Sequence, residues 1–468
     1  MTAISSRKKI ILNVLAILLV MGVAIQFIRP RLDNPPVTAD LSAPPEVKSI
    51  LQRACYNCHS NQTQLAWFDE PAPAYWLVVR DIKKARAHLN FSTFDSLPKA
   101  QQAGKLFEAL NQIEFKTMPL QQYRLLHHGA TISPDEIAIL RKYLLTLAPP
   151  AVPDTTKQRA TLEQYAKWIQ AAVASAPASG ATGPGSGPAP ASPKDAPNGI
   201  SYHDLADFAN WKAMSTTERW DNGTMRLILA NAIAEQAIRE GHTNPWPRGA
   251  TFAKVAWDQL PDSAGEIHTG AFKQVEFMIR DEEKYAATQG WGFARWVGGL
   301  ALKPYGKNAS FVTECTTCHQ TMAANDHVFT FPLADTLALM YETVSRADSF
   351  AGHPMTGKVI TSFADPRMGT MSTLYGNDAA VKSARSGQPY TADAVLALVT
   401  WSQRQDPHWF GGRIPDSLKS VETLRYRAGG SPWYRYWQDG HSAETEPEAG
   451  VVAERIAYIT GRKASVLP

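Results

Sequence analysis

Two short stretches decide how this chain is organised: Cys55-Tyr56-Asn57-Cys58-His59 and Cys315-Thr316-Thr317-Cys318-His319. Together they contain all four cysteines of the sequence, so none remains for a structural disulfide. The C-x-x-C-H pattern is typical of c-type haem attachment, in which two thioethers anchor the porphyrin and the adjacent histidine ligates the iron. The sequence therefore predicts two covalently bound c-type haems, each with its iron.

Zinc binding and redox activity are the alternative uses of paired cysteines. A single tetrahedral zinc site would have to join two pairs from distant parts of the sequence, and it leaves both histidines unexplained. A redox dithiol explains each pair but neither the histidine nor the recurrence of the pattern. Haem attachment accounts for every residue of both motifs, and the sequence favours it.

The composition is that of a folded protein with several domains. Of the 468 residues, 44% are hydrophobic and 19% are charged, which is enough apolar material for more than one core. The 47 Lys and Arg residues against 43 Asp and Glu leave a net charge of only +4. That surplus is too small to indicate a nucleic-acid partner.

An apolar run near the N-terminus, residues 10–28, carries only Asn13 and Gln26 as strongly polar residues and has basic residues on both sides. At about 1.5 Å per residue it reaches roughly the 30 Å of a bilayer core. A cleaved signal peptide is the alternative, but no small-residue cleavage site ends the run. We expect a single-pass anchor in the lipid bilayer of the cytoplasmic (inner) membrane, with residues 1–9 in the cytoplasm. Because c-type haem is attached outside that membrane, the haem domains should lie in the periplasm.

Composition changes divide the remainder of the chain. Residues 40–150 are predicted to form a helical c-type haem domain, and Ser133 with Glu136 forms a capping box before its last helix. Residues 151–200 should hold one helix, over residues 160–176, followed by a flexible linker of Ala, Pro, Gly and Ser.

Beyond the linker, residues 201–335 are predicted to form a second haem domain, because they contain the second motif. This domain should be α+β, since residues 250–255 and 274–279 have the composition of strands. Residues 336–468 are expected to be a loop-rich C-terminal extension packed on that domain. Within it, Thr391 is predicted to cap a helix that runs to Trp401. No internal repeat is evident.

The fold class predicted from these segments is α+β multidomain. It comprises an N-terminal transmembrane helix, a small all-α c-type haem domain, a Pro/Gly/Ala linker, and an α+β haem domain with its loop-rich extension.

The first iron needs a sixth ligand, and Met118 is the candidate that the sequence favours. It lies in Lys116-Thr117-Met118-Pro119, where the proline indicates a rigid loop. A thioether opposite histidine closes the iron to other ligands and raises its reduction potential. A methionine that merely fills a gap in the core is the alternative. His88, His127 and His128 are rival ligands without positional support.

Residues 40–150 resemble a family of small haem-binding domains. The resemblance rests on Ser60 and Asn61 after the first motif, on Trp76, on His88-Leu89-Asn90-Phe91, and on Met118-Pro119-Leu120 followed by Tyr123. It implies a helical domain that carries one haem.

Residues 205–335 resemble the cytochrome P-460 family. The matching stretches are Asn222-Gly223-Thr224, Asn231, Pro247-Arg248-Gly249-Ala250, Phe277 to Asp281, Gly290 to Phe293, and Cys315 to His319 followed by Asp326 to Thr330. The resemblance implies an antiparallel sheet, an open haem iron with a proximal histidine, and dimers. Characterised members join a lysine to the porphyrin edge, and Lys254 occupies that position. Such members oxidise hydroxylamine and related nitrogen compounds, whereas relatives without the lysine bond only bind gases.

The sequence thus predicts a dihaem oxidoreductase in which a small-molecule ligand binds at the second haem, opposite His319, and electrons leave through the first haem to membrane or periplasmic redox partners. The predicted site residues are Cys55, Cys58, His59 and Met118 for the first haem, and Cys315, Cys318, His319 and Lys254 for the second. Glu276, Asp281 and Asp326 are candidate proton acceptors, and Met355 and Met368 could close the second iron. A pure electron relay and a gas-binding protein are the alternatives. A homodimer is the assembly that the resemblance implies.

Overall fold

The computed structural model describes residues 2–174, 193–299, 301–330, 357–428, 432–438, 441–442 and 449–467. The chain forms two compact units, residues 1–147 and 148–468. Most of the predicted flexible linker, and with it Met355 of the extension, lies outside the described residues.

The first unit is helical, as predicted. Its helices are α1 (Thr2–Ala24), α2 (Pro45–Ala54), α3 (Tyr56–His59), α4 (Ala74–His88), α5 (Lys99–Glu114), α6 (Gln121–Leu126) and α7 (Pro134–Leu147). One apolar face of each longer helix turns inward. The buried side chains are Val47 and Ile50 of α2, Val79 and Ile82 of α4, Leu106 and Phe107 of α5, and Leu140 and Leu144 of α7. Each contributes about 1.5–3 kcal/mol to folding by leaving water.

The capping box at the start of α7 is confirmed. The backbone N–H of Glu136 donates to Oγ of Ser133 (3.2 Å), and the backbone N–H of Ser133 donates to the Glu136 carboxylate (2.9 Å). Arg53 of α2 also binds this carboxylate. The cap therefore ties α7 to the helix that leads into the first haem motif.

Helix α1 contains the apolar run near the N-terminus. Residues Ile10–Phe27 are long and apolar enough to cross a membrane, and their side chains are not covered by the rest of the protein. A signal sequence would have the same length and composition.

The second unit is built on an antiparallel sheet, as predicted. Its strands are β1 (Lys212–Arg219), β2 (Thr224–Ala230), β3 (Thr251–Pro261), β4 (Ile267–Arg280), β5 (Trp291–Val297), β6 (Lys303–Pro304), β7 (Lys358–Asp365), β8 (Thr370–Gly376), β9 (Val395–Gln405), β10 (Gly412–Arg425), β11 (Trp433–Gln438) and β12 (His441–Ser442). Its helices are α8 (Thr155–Ala174), α9 (Ala232–Glu240), α10 (Thr317–His319), α11 (Asp378–Ser386) and α12 (Ala449–Thr460). Strands β1 to β4 and β7 to β10 form a closed barrel, because β4 pairs with β7 and β10 pairs with β1.

The C-terminal extension has more regular structure than the sequence suggested. Among its described residues it supplies strands β7 to β12 and helices α11 and α12 to the second unit. The predicted helix from Thr391 to Trp401 is wrong, because this stretch contains strand β9. Leu396 to Val399 are all buried. A strand buried on both faces has a continuous apolar run, which periodicity cannot distinguish from a helix.

Helix α8, expected beside the flexible linker, packs on the second unit. Gln164 exchanges two hydrogen bonds with the backbone of Phe272 (2.6 and 3.1 Å). The indole of Trp168 donates to the carbonyl of Leu467 (2.9 Å). Near the end of the linker, the carbonyl of Lys194 accepts a hydrogen bond from Trp296 (2.9 Å). These contacts make the helix part of the sheet domain.

The second unit contains one structural pattern twice. The elements β1, β2, α9, β3 and β4 have 8, 7, 9, 11 and 14 residues. The elements β7, β8, α11, β9 and β10 have the same lengths in the same order. We call residues 212–304 the first copy and residues 358–442 the second copy.

Local details repeat as well. The β1–β2 ladder is irregular between Ala213 and Ser215, and the β7–β8 ladder is irregular 146 positions later (359 minus 213), between Val359 and Thr361. Asn231 caps α9 and Asn377 caps α11, each through the same three side-chain hydrogen bonds. The sequence signal is sparse, and its clearest part is Gly-Thr-Met at residues 223–225 and again at 369–371.

Candidate functional site

The first haem motif lies on a helical turn. The backbone N–H of His59 donates to the carbonyl of Cys55 (2.9 Å), and that of Cys58 donates to the same carbonyl (3.1 Å). Positions i, i+3 and i+4 of a helix share one face. Cys55, Cys58 and His59 are therefore presented together, as a porphyrin with two thioether bonds and an axial histidine requires.

The His59 ring is oriented by a backbone carbonyl. Its Nδ1 lies 3.0 Å from the carbonyl oxygen of Leu89, which can only accept, so Nδ1 carries the proton and Nε2 is the ligand atom. Burial lowers the pKa of His59 and keeps the imidazole neutral. The side chain of Asn90 donates to that of Asn61 (2.9 Å), which links this segment to the motif. Residues 88–91, which are part of the resemblance to small haem-binding domains, thus hold His59, the predicted iron ligand, in its orientation.

The four cysteines of the two motifs form no disulfide and are half-buried. Burial raises the pKa of Cys55 to about 12, that of Cys58 to about 11 and that of Cys315 to about 12. A zinc site or a reactive dithiol needs thiolates, which these environments disfavour. The two pairs also belong to different units, and each lies beside its own histidine.

The loop that carries Met118 is joined to the first motif. Asn57, inside the motif, donates a hydrogen bond to the hydroxyl of Tyr123 (3.0 Å), which lies in α6, the short helix that follows Met118. Both cysteines of the motif interact electrostatically with Tyr123. These contacts bring the Met118 segment to the first motif, although Met118 as the iron ligand stays a prediction.

One rival of Met118 has another role. Nε2 of His127 lies 3.1 Å from a carboxylate oxygen of Asp69, and its ring stacks on Tyr123 at 3.8 Å between centroids. His127, directly after α6, thus contacts Asp69 and Tyr123 and stabilises the fold there.

The second motif is arranged like the first. A π-helical turn, Val312–Thr316, runs into α10 and contains Cys315. Nδ1 of His319 lies 2.7 Å from the carbonyl oxygen of His327, so Nε2 is again the ligand atom. Burial lowers the pKa of His319 to about 4. The Asp326–His327 turn, with both residues at positive φ, places this carbonyl.

A group of charged side chains on the sheet faces the second motif. Lys254 on β3 lies opposite Glu276 on β4, and Glu276 lies opposite Arg295 on β5. Lys254 forms an ion pair with Glu276, and Nε of Arg295 lies 3.3 Å from the same carboxylate. Arg226 of β2 also interacts electrostatically with Glu276. We call these four residues the charged cluster.

The charged cluster lies next to the haem-binding residues. Both Lys254 and Glu276 interact electrostatically with Cys315 and with His319. Burial acts to raise the pKa of Glu276, but Lys254 and Arg295 together lower it to about 2. Burial lowers the pKa of Lys254, and Glu276 opposes that effect. The sequence pointed to Lys254 and Glu276, whereas it gave no signal for Arg226 and Arg295.

The other acidic candidates have structural roles. Asp281 accepts hydrogen bonds from the backbone of Glu283 and Lys284 and pairs with Arg248. Asp326 is buried and accepts from the backbone N–H of Trp246 (2.8 Å). Glu276 alone among the three candidates faces the second motif.

Met368, a candidate sixth ligand of the second iron, lies elsewhere. Its side chain is 73% exposed and lines a cavity of about 490 Å³ in the second copy, together with Glu422 and Arg455.

The residues of both motifs fit haem. Each motif offers two thiols and one neutral imidazole whose Nε2 is available to a metal. The charged cluster carries three cations against one carboxylate, and burial lowers the pKa of Arg226 to about 9. Such a surplus of half-buried positive charge suits a ligand with carboxylate groups, as haem has in its propionates.

Comparisons with known families agree with this chemistry. The family model described as a haem-binding domain matches residues 20–146. The model described as cytochrome P460 matches residues 205–330. No curated protein matches the chain. The predicted fusion of a haem-binding domain with a cytochrome P460 domain is confirmed, and the chain is a haem protein.

Proposed function

We propose that the protein is a membrane-anchored, periplasmic dihaem c-type cytochrome that oxidises a small nitrogen compound of the hydroxylamine type at its second haem. Electrons would leave through the first haem to a redox partner. The observation that carries this proposal is the position of the Lys254–Glu276 ion pair beside Cys315 and His319. A relay that only transfers electrons has no use for a buried acid–base pair at its iron.

The haem-holding residues are divided between the two units. Cys55, Cys58, His59 and Met118 would hold the first haem, and Cys315, Cys318 and His319 the second. When bound, haem supplies an iron that exchanges single electrons and, where a coordination position is open, takes a small ligand.

Glu276 is the residue suited to receive a proton from the substrate. It is ionised at neutral pH, but a carboxylate whose pKa is about 2 is a weak base. Two cations, Lys254 and Arg295, keep it weak. Loss of either positive charge would raise the pKa of Glu276 and make it a better proton acceptor.

Lys254 could lose its charge by forming the covalent bond that the resemblance implies. Starting from the ammonium group, that bond would replace one N–H of Lys254 and one C–H of the porphyrin edge by an N–C bond. Formation of the uncharged product would release three protons, two from the nitrogen and one from the carbon, and would pass two electrons to a two-electron oxidant. The nitrogen would then no longer be an ammonium group. The same residue would thus change the porphyrin and increase the basicity of Glu276.

Hydroxylamine oxidation by the full-length protein, with an artificial one-electron acceptor, tests the proposal. We expect wild type to turn over, and we expect Lys254→Ala and Glu276→Gln to lose most activity while they retain both haems. Lys273→Ala is the matched control, because Lys273 lies on β4 and pairs with Asp258 at the surface. Wild type that retains both haems and fails to oxidise hydroxylamine would refute the proposal.

A gas-binding protein without catalysis is the second candidate. It would apply if Lys254 kept its ion pair with Glu276 once haem is bound, because an ammonium nitrogen has no lone pair with which to bond to a porphyrin. In that case the ferrous protein would bind carbon monoxide or nitric oxide at the second haem without hydroxylamine oxidation. A ferrous protein that binds neither gas would favour the pure electron relay.

A further inference from the structure

The two copies in the second unit pair with each other as the subunits of a symmetric dimer do. Strand β4 of the first copy pairs with β7 of the second, with Ile267 opposite Ala364. Strand β10 of the second copy pairs with β1 of the first, with Arg413 opposite Glu218. Arg413 is the equivalent of Ile267, and Ala364 is the equivalent of Glu218, because each lies 146 positions later in the chain (413 minus 267, and 364 minus 218). The two contacts therefore join the same pair of positions. One chain thus contains an interface of the isologous kind, in which the same patch is used twice.

The second copy lacks the groups that hold haem in the first. Leu398 lies opposite Glu422 on β9 and β10, where the first copy has Lys254 opposite Glu276. No cysteine occurs after Cys318. The helix α12 follows β12 in the chain, as the second haem motif follows β6. Its Arg455 binds Glu422 through two hydrogen bonds (2.5 and 2.8 Å), so α12 covers the face that corresponds to the haem site.

A loop of the second copy reaches Phe329, in the segment that follows the second haem motif, and the end of β1 in the first copy. We call residues 406–411, between β9 and β10, the bridging loop. Nδ1 of His408 donates to the carbonyl of Phe329 (2.6 Å). The indole of Trp409 donates to Asp221 (3.0 Å), and the guanidinium of Arg219 lies 4.3 Å from the centre of the Trp409 ring. Asp221 and Arg219 are at the end of β1, in the first copy.

The bridging loop touches the residue that packs on the axial histidine. The Phe329 ring lies 5.2 Å from the His319 ring in an edge-on arrangement, and Trp409 lies 6.2 Å from Phe329. His319 is further fixed by the carbonyl of His327, in the same short segment as Phe329. A shift of the bridging loop would therefore move the two contacts that this segment makes with the imidazole, whereas the contact of the His319 ring with Phe293 of β5 (5.2 Å) would stay.

The corresponding loop of the first copy makes the reciprocal contact. Glu266, between β3 and β4, accepts hydrogen bonds from Tyr458 (2.5 Å) and Arg462 (2.7 Å), and it lines the cavity of the second copy. Each copy thus extends the same loop to the site of the other copy.

We propose that the second copy is a haem-free partner subunit built into the chain, and that its bridging loop positions the axial ligand His319 through Phe329. Trp409 and His408 are positioning residues, since they act on His319 through their contacts with Phe329. This proposal needs haem at the second motif and does not depend on the substrate that is oxidised there.

Electron paramagnetic resonance of the ferric full-length protein tests the proposal, because its g-values report the axial ligand field of each haem. We expect Trp409→Ala and His408→Ala to shift the second-haem signal or to split it into several species, and to leave the first-haem signal unchanged. Trp409→Phe, which keeps a ring against Phe329, should restore most of the wild-type signal. Trp433→Ala is the control, because Trp433 is a partly exposed tryptophan of the second copy on β11.

The haem content of each variant separates positioning from misfolding. A variant with wild-type haem content and a changed second-haem signal supports the proposal. Wild-type signals in both Trp409→Ala and His408→Ala would overturn it, as would an equal change in Trp433→Ala. Because the partner is covalently attached, the second-haem signal of wild type should also be independent of protein concentration. A signal that changes on dilution would show that the partner is a second chain.

Discussion

Lys254 and Glu276 lie directly opposite each other on β3 and β4 and form an ion pair at the second haem motif. Either residue alone in this half-buried position would be costly, since an unpaired buried charge destabilises a protein by several kcal/mol. Arg295 adds a second cation to the same carboxylate. The pair makes the environment of the second motif different from that of the first, where a helical domain offers a methionine.

We expect Lys254 to be joined to the haem that Cys315 and Cys318 bind. Proteolysis of the mature protein with trypsin should release one haem-containing peptide that includes both the Cys315 and the Lys254 segments. Lys254→Ala should retain the haem on the cysteines and lose the extra peptide and any unusual absorption in the ferrous state, since the porphyrin would be that of an ordinary c-type haem. A haem peptide from wild type that contains only the Cys315 segment would contradict the crosslink.

Two haems per chain are expected, one on each motif. The intact mass of the mature protein and haem staining after denaturing electrophoresis should both show covalent attachment, because thioether bonds survive denaturation. Cys315→Ala combined with Cys318→Ala should remove one haem, and Cys55→Ala combined with Cys58→Ala should remove the other. An intact mass with a single haem in wild type would disprove the assignment of one motif.

Met118 is expected to close the first iron. Met118→Ala should allow carbon monoxide to bind the first haem and should lower its reduction potential, because a thioether favours the reduced iron. Met368→Ala is the matched control, since Met368 is exposed on a loop of the second copy. If the first haem of wild type binds carbon monoxide as readily as that of Met118→Ala, another residue or none is the sixth ligand.

The capping box should make the stability of the first unit depend on acid pH. The backbone N–H of Ser133 and the guanidinium of Arg53 hold the pKa of Glu136 below its ordinary value of 4.5. A carboxylate with a lowered pKa stabilises the fold above the pKa of the unfolded chain, and this contribution is lost as the pH falls through the folded value. Glu136→Gln should therefore remove part of the stability loss between about pH 5 and pH 3.

Ser133→Ala should lower the free energy of unfolding of the first unit at neutral pH by about 1 kcal/mol, the usual contribution of such a cap. Denaturant unfolding followed by the absorption of the first haem measures both effects. Ser96→Ala is the control, because Ser96 is an exposed serine that bonds only within its own turn. Equal losses in Ser133→Ala and Ser96→Ala would mean that the cap contributes nothing measurable.

The sequence by itself determined the features that depend on short spacings. The two C-x-x-C-H motifs, the apolar helix and the capping box at Ser133 all follow from residues that are close together in the chain. Local geometry is sufficient here, because a helical turn places positions i, i+3 and i+4 on one face regardless of the remaining fold. The antiparallel sheet was implied by the family resemblance.

The tertiary structure decided what depends on residues far apart in sequence. β9 was mistaken for a helix because burial on both faces removes the alternation that marks a strand, and burial is set by neighbouring strands. The duplication was missed because the fold conserves lengths, bulges and caps while most side chains differ. The arginines of the charged cluster and the bridging loop belong to strands and loops that only the closed barrel brings together. For the same reason no motif could indicate that Trp409 supports His319. Trp409 reaches His319 only through Phe329. Trp409 comes near Phe329 only because the two copies, 146 positions apart (364 minus 218), pair with each other.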